Sequence, residues 1–418
     1  MIRLLFSCFL VLILCGKAYS ETAKPIVILL SIDGFAYEYL HKYQPPNMLA
    51  LSKSGIKAKL QSVYPSKTFP NHLSIITGSY PIHHGITNNA FYSPEIKQQY
   101  RLGAGKNNAA WLKADPLWVL AEQHDIKSAV YFWPESEALD KQPTYNIGFN
   151  TKDSNEKRFT QLLQWLMLPI EQQPQLIVSY FSIVDSAGHT YGPNSNEVKQ
   201  AINDIDFLIG DFVAKIATEV PYEVNLIIVS DHGMMQTDKS KLVKPSQVFD
   251  ASILNLIKNN VITVSRNDTQ IYLYFTQPNL DELKQLEITQ RLKKQAETDL
   301  NKHLYTLYTK GNYPKNWQLA DNNTLVPDII FEATPPATFV KENIDLNTSN
   351  NGTHGYDPIN QKGLLGIFLA TGPDILKSKE ILLFENIHVF PFISDLLTIP
   401  APANIDGTGE MLKPYLKK

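Results

Sequence analysis

The chain has 418 residues, of which 44% are hydrophobic and 19% charged, and its formal net charge is −3. This is the composition of a globular protein with a sizeable core, and it excludes a disordered tail, a fibre and a polytopic membrane protein. A weakly acidic chain is not built to coat nucleic acid or an anionic membrane.

Residues 1–20 read as a secretory signal peptide. Arg3 gives the positive start, an apolar run covers Leu4 to Leu14, and Ala18-Tyr19-Ser20 is a small-residue cleavage site. The apolar run is short of the ~20 residues that a membrane span needs. A lipoprotein anchored through Cys15 is the alternative, but Leu14 is bulkier than such a site prefers. Cys8 and Cys15 are the two cysteines, so the mature chain has none and must rest on its core. Cleavage removes Arg3 and Lys17 and takes the charge from −3 to −5. Asn-x-Ser/Thr sequons at Asn267, Asn322, Asn347 and Asn351 would carry meaning only in a glycosylating host. Cysteine-free export and a Lys/Asn/Ile-rich composition point to a bacterial periplasmic or secreted protein.

Beyond the leader, short apolar runs alternate with helical patterns. Ile26–Ile32, Ser128–Phe132, Leu176–Phe181, Leu226–Ser230 and Leu364–Ala370 read as buried parallel strands, with Lys157–Leu168 and Glu197–Ala217 as helices between them. The pattern predicts an α/β fold: a central, mostly parallel sheet with helices on both faces. Ligands of such sheets gather at the carboxyl ends of the strands, and three strands end in or just before Asp33, Asp185 and Asp231. Residues 238–340 read differently. Strands at Val261–Val264, Ile271–Phe275, His303–Tyr308 and Asp328–Phe331, with a helix at Leu280–Leu300, predict a small α+β insertion.

Each chemical motif has an ordinary use when taken alone. Asp33-Gly34 is a common turn pair. Asp185 and His189 are four residues apart and can meet on one side of a helical turn, although Asp185 also suits an N-cap. Asp231-His232 in an exit loop can face one ion, and His354 lies in a Gly/Asn-rich loop. Thr68 begins a predicted helix, as an N-cap or as a nucleophile that needs a metal or a base. A helix start also offers free N–H groups to an anion. Together Asp33, Asp185, His189, Asp231, His232 and His354 give six donors. One open catalytic ion takes three or four protein ligands, whereas two ions ~3.5–4 Å apart can clamp a phosphoryl group and activate a hydroxyl.

Ten stretches carry a resemblance: Ser31-Ile32-Asp33-Gly34, Lys67-Thr68-Phe69-Pro70-Asn71-His72, Thr77-Gly78-Ser79-Tyr80-Pro81, His84-Gly85-Ile86, Asn89, Phe132-Trp133-Pro134, Asp185 to His189, Tyr191-Gly192-Pro193, Ser230-Asp231-His232-Gly233-Met234 and His354-Gly355-Tyr356. In this order and spacing, from about residue 25 to the C-terminus, the chain resembles the nucleotide pyrophosphatase/phosphodiesterase family of the alkaline phosphatase superfamily. The resemblance implies an alkaline-phosphatase-like catalytic domain over residues 21–418, with 238–340 as its insertion lobe. It implies that Asp185, His189 and His354 hold one zinc, and that Asp33, Asp231, His232 and the Thr68 oxygen hold the other. Manganese or iron would also suit these donors. Thr68 is then the nucleophile of a phosphothreonine intermediate, hydrolysed by water on the opposite metal. Asn89 matches an asparagine that binds phosphate oxygens, and Phe69 and Tyr180 match aromatic positions that sandwich a nucleobase.

The implied activity is hydrolysis of nucleotide phosphodiester or pyrophosphate bonds to nucleoside 5′-monophosphates by an exported enzyme. Its partners are small-molecule substrates, with no polymeric nucleic acid and no membrane span in the mature chain. A choline-bearing phospholipid is the alternative substrate, because Phe69 and Tyr180 could also face a quaternary ammonium. A non-catalytic surface binding protein is the remaining alternative, against which the complete donor set stands. A sulfatase is discounted because Thr68-Phe69-Pro70-Asn71-His72 lacks the arginine of the Cys/Ser-x-Pro-x-Arg motif. Two departures from the family pattern are expected near the substrate mouth. Glu135 replaces a glycine after Phe132-Trp133-Pro134, and Ser182, Ile183 and Val184 replace acidic residues and proline before Asp185. They leave the leaving group and the nucleoside preference open.

Overall fold

A computed structural model describes residues 25–417 except 278, 279, 321, 347 and 348. The expected signal peptide, with Cys8 and Cys15, and the sequon residue Asn347 lie outside the described residues.

The central sheet takes β1 (Ile26–Ile32), β2 (Ile56–Gln61), β3 (Ser128–Tyr131), β4 (Tyr145–Ile147), β5 (Leu176–Phe181) and β6 (Val224–Val229) in turn. The chain then leaves it for β7 (Ile262–Arg266), β8 (Gln270–Phe275), β9 (Tyr305–Thr309) and β10 (Ile329–Ala333), and returns as β11 (Gly366–Thr371). The spatial order is Lys379–Glu380, β2, β11, β6, β1, β5, β3, β4, with Phe384–Glu385 also pairing with β2. Strand β1 lies inside the sheet, parallel to β5 with Val27 opposite Leu176 and to β6 with Ile28 opposite Leu226.

All seven residues of β1 are buried, which is why its sequence is an uninterrupted apolar run rather than an alternating one. Val27 and Leu29 share a core cluster with Leu73 and Ile76 of helix α1 (Thr68–Thr77). Ile28 and Leu30 share another with Phe159 of α2 (Asn155–Leu166), Val184 of α3 (Ile183–Tyr191) and Ile202 of α4 (Asn196–Glu219). Each such side chain fully buried contributes ~1.5–3 kcal/mol, so the two-sided core fixes the register that carries Asp33 to the carboxyl end of the sheet.

Two sequence expectations change. Leu364–Ala370, read as a parallel strand, is antiparallel to both β2 and β6 as β11. The excursion from β6 starts and ends at the carboxyl end of β6, where the Ser230 N–H donates to Ile367 O at 3.1 Å. The returning strand therefore runs back without a crossover. Strand β2 was not foreseen, although Ile56, Ala58 and Leu60 are buried while Lys57 is partly exposed and Lys59 exposed, a short period-two signal.

In the inserted stretch β7, β8, β10 and β9 form an antiparallel sheet in that order. Alternation splits its faces. Ile271, Leu273 and Phe331 pack with Ile288 and Leu292 of helix α5 (Glu282–Thr298). Tyr272, Tyr274 and Ile330 join the main core beside Tyr64 and Trp317, whose rings stack at 3.9 Å. The lobe sheet is thus covered on both faces, and one of those faces is the main core.

Candidate active site

The chemical residues collect at the carboxyl ends of β1, β5 and β6. Asp33 follows β1 directly, and Gly34 turns the chain with φ +69°. A Cβ on Gly34 would lie 2.9 Å from Asp185 Cα, so both the space and the backbone angle require glycine. Asp231 follows β6 after Ser230, whose hydroxyl donates to Phe35 O at 2.8 Å and accepts from the Ile367 N–H at 2.9 Å. Asp185 sits in the first turn of α3, not in a loop and not at the N-cap, which is Ser182. His189 lies one turn later on the same helix. His354 follows the short strand Gly352–Thr353, which pairs with Met235–Gln236.

Two donor groups result. Asp185 Oδ1 is 3.4 Å from His189 Nε2 and 3.6 Å from His354 Nε2, and the two nitrogens are 3.1 Å apart. His232 Nε2 is 2.9 Å from Asp231 Oδ2, 3.4 Å from Asp33 Oδ1 and 3.3 Å from Thr68 Oγ1. His232 borders both groups, because its donor atom also lies within 4.8 Å of those of Asp185 and His354.

The donor chemistry fits divalent ions. The Nδ1 atoms of His189, His232 and His354 lie 2.8, 2.9 and 2.9 Å from the carbonyls of Gly352, Gly233 and Ser66. A carbonyl only accepts, so each Nδ1 carries a proton and, in the neutral ring, the Nε2 lone pair faces the carboxylates. Asp33 Oδ1, Asp185 Oδ1 and Asp231 Oδ2 are buried with no hydrogen-bond partner. Lone pairs opposed to carboxylate oxygens repel unless a cation lies among them, and mixed imidazole and carboxylate donors suit zinc. The protein alone accommodates this charge unevenly. Burial, then Asp185 and Asp231, push the Asp33 carboxyl well above its usual range. Asp231 is also buried, yet the neighbouring His232 and His72 hold it well below. Burial, then His232 and Lys67, keep the His354 imidazole neutral far below its ordinary value.

Thr68 is the first helical residue of α1 and not its N-cap, a place that Lys67 takes without a side-chain capping bond. The threonine hydroxyl is therefore free for chemistry. Asn89 Oδ1 accepts from the Phe69 N–H at 3.1 Å, which places Asn89 beside the helix start. A cavity of about 580 Å³ opens here, lined by Asp33, Thr68, Phe69, Asn89, Tyr180, Asp185, His189 and His354 and, farther out, by Leu102, Lys106, Phe132 and Phe149. Phe69 and Tyr180 line it with 8% and 7% of their surfaces exposed, and both also belong to the main core. The Tyr180 hydroxyl donates to Asp33 Oδ2 at 2.5 Å, and its ring meets His72 and Phe132 edge-on at 5.1 Å.

Several residues escaped sequence reasoning. His72 Nδ1 is 2.8 Å from Thr68 O and 3.3 Å from Asp231 Oδ2, while its Nε2 is 2.8 Å from Ser31 Oγ. Its place one helical turn after Thr68 was the available signal. Phe149, 46% exposed, packs on Phe132 at 4.4 Å in the cavity wall, and a single exposed aromatic gives no sequence signal. Glu135, expected near the substrate mouth, follows Pro134 of the cavity wall. It takes φ +61°, a glycine-like conformation, and is 4% exposed. Its carboxylate accepts from the Tyr100 hydroxyl and from the Gly105 N–H and does not line the cavity.

Comparison with known proteins agrees with this geometry. A family model described as type I phosphodiesterase / nucleotide pyrophosphatase matches residues 27–357. An uncharacterized pyrophosphatase/phosphodiesterase of Schizosaccharomyces pombe is 30% identical over 399 residues, 92% of this chain and 79% of that protein. Mouse ectonucleotide pyrophosphatase/phosphodiesterase family member 3 is 33% identical over 94% of this chain and 44% of its own length. The venom phosphodiesterase of Macrovipera lebetinus is 32% identical over 96% and 46%. The chain thus spans less than half the length of these last two relatives. Human ectonucleotide pyrophosphatase/phosphodiesterase 5 superposes with a TM-score of 0.82 at 25% identity, covering 94% of this chain and 100% of that one. Among the described residues no helix is long and apolar enough to cross a membrane.

Proposed function

The chain belongs to the type I phosphodiesterase / nucleotide pyrophosphatase family of hydrolases, and we propose that it is an exported enzyme that releases nucleoside 5′-monophosphates from nucleotide phosphodiesters and pyrophosphates at a two-zinc centre. The observation that carries this reading is the meeting of two nitrogen-oxygen donor groups, bordered by His232, in the cavity that Thr68 lines, with Thr68 Oγ1 3.3 Å from His232 Nε2 at the start of α1.

Asp185, His189 and His354 would hold one ion, and Asp33, Asp231, His232 and the Thr68 oxygen the other. Bound zinc supplies Lewis acidity and lowers the pKa of the oxygens it holds. Thr68 Oγ1 attacks phosphorus in line, a bond from Oγ1 to phosphorus forms, and the bond to the leaving oxygen breaks. The product is a phosphothreonine ester that still carries the nucleoside. Water cleaves this ester, frees Thr68 and releases the 5′-monophosphate. The positive end of the α1 dipole opposes charge growing on the phosphoryl oxygens, since the Phe69 N–H is taken by Asn89 and Pro70 has none. The amide nitrogen of Asn89 adds a donor, since its oxygen is turned to Phe69 N–H.

The aromatic wall of Phe69, Tyr180, Phe132 and Phe149 supports a nucleoside, because any base can meet an aromatic ring through its π-face. The signal-like residues 1–20 and the relatives named as ectonucleotide enzymes support export. Residues 21–418 would form the catalytic domain, with 238–340 as its lobe. The test is turnover of a nitrophenyl nucleotide ester against a choline phosphodiester by zinc-loaded protein. Nucleotide turnover supports the proposal, and turnover of the choline ester alone overturns it.

A further inference from the structure

We infer that the ion pair between buried Lys67 and half-buried Asp268 is a positioning clamp for His354, so that the tip of the lobe hairpin builds one of the two ion sites. The inference rests on the proposed two-ion centre.

Of the proposed ligands, His354 has the least scaffold beneath it. Asp33 and Asp231 follow central strands and Asp185 and His189 share one helix, whereas His354 follows a strand of two residues. What holds it comes from elsewhere. Lys67 is 4% exposed. Its ammonium group bonds the Asp268 carboxylate and donates to His354 O at 2.9 Å. Asp268 lies in the turn between β7 and β8, and its second oxygen accepts from the Thr353 hydroxyl. Ser66 completes the hold: its carbonyl accepts from His354 Nδ1 at 2.9 Å, and its hydroxyl accepts from the Gly355 N–H at 3.0 Å.

Gly355 has φ +110°, and a Cβ there would collide with Lys67 and Thr269, so the loop is moulded around the pair. The clamp thus joins the residue before Thr68, the lobe hairpin and the residues on both sides of His354. A partly buried ion pair is a weak source of net stability, whereas outer partners of metal-binding histidines set ligand orientation. Asp33, Asp231 and His232 make no bond to the clamp among the described residues.

The test is calorimetric titration of metal-free protein with zinc, comparing the wild-type chain with Asp268→Asn. Loss of the clamp should weaken one of two binding events by about 10–100-fold and leave the other within a factor of about two. Asp268→Asn leaves Lys67 buried without its partner and risks unfolding, so Lys67→Met/Asp268→Asn, which removes both charges, is measured beside it. The double variant should fold and show the same selective loss. Unchanged binding at both sites, or equal weakening at both, overturns the clamp. A wild-type protein that binds no zinc would instead overturn the two-ion centre itself.

Discussion

The rings of His232 and His354 stack with centroids 3.6 Å apart and planes 16° apart. One ring belongs to each proposed ligand set, so the two ion sites share a wall. His232→Ala should therefore impair both zinc-binding events, whereas His189→Ala, at the outer side of the Asp185 group, should impair one. Zinc titration of the two metal-free variants checks this, and a single-site loss in both would contradict the shared wall.

Removing the ions should also loosen the fold. A ligand that binds the native state alone at a hundred times its dissociation constant adds about 2.7 kcal/mol. Treatment with a chelator should lower the melting temperature and abolish turnover, and added zinc should restore both. An unchanged melting curve would show that the buried acids are not metal ligands.

Thr68→Ala should lower turnover of a nitrophenyl nucleotide ester by about a thousandfold or more, as loss of a nucleophile does. The melting temperature should stay close to wild type, because the Thr68 side chain caps nothing, and zinc should be retained at its site by the three remaining ligands Asp33, Asp231 and His232. Turnover near the wild-type rate would remove Thr68 from the chemistry.

Tyr180 and Phe69 should separate by kinetics. The Tyr180 hydroxyl bonds Asp33 Oδ2, so Tyr180→Phe should weaken zinc binding by about tenfold with little change in KM. Phe69→Leu should raise KM for nucleotides and leave zinc binding alone. If Tyr180→Phe changed KM alone, its ring would be acting on substrate rather than its hydroxyl on Asp33.

Glu332 predicts a pH dependence away from the metal ligands. Burial pushes its carboxyl up to about 8, while it accepts from the Tyr64 hydroxyl, the Gln270 amide and the Asp357 N–H. Between its ordinary value and about 8 the folded chain keeps a proton that the unfolded chain releases. Its contribution to stability is therefore complete in acid and is lost as pH rises through about 8. Glu332→Gln removes the titration, so urea unfolding should show the variant gaining on the wild type from pH 5 to pH 8. A constant difference across that range would contradict a raised Glu332.

Much of the fold was legible because β1, β5 and β6 are buried on both faces and so appear as unbroken apolar runs. The six donors and Thr68 were legible as motifs at strand ends and a helix start, and the structure gathers them. What the sequence hid was long-range. β11 is antiparallel because the chain returns to the same end of the sheet, which no local pattern encodes. Lys67 and Asp268 are 201 residues apart, and only the folded lobe brings them together. That the Glu135 carboxylate turns away from the cavity beside it, toward Tyr100 and Gly105, cannot be read from residue type.

The central claim is that Thr68 cleaves a nucleotide at phosphorus. The direct measurement is mass spectrometry of zinc-loaded protein quenched in acid during turnover of a dinucleotide or nucleoside triphosphate, with the released product identified. The account predicts a nucleotide adduct on the peptide that contains Thr68 and free nucleoside 5′-monophosphate, both absent from Thr68→Ala. Undiminished release of 5′-monophosphate by Thr68→Ala, or an adduct on another residue, would contradict it.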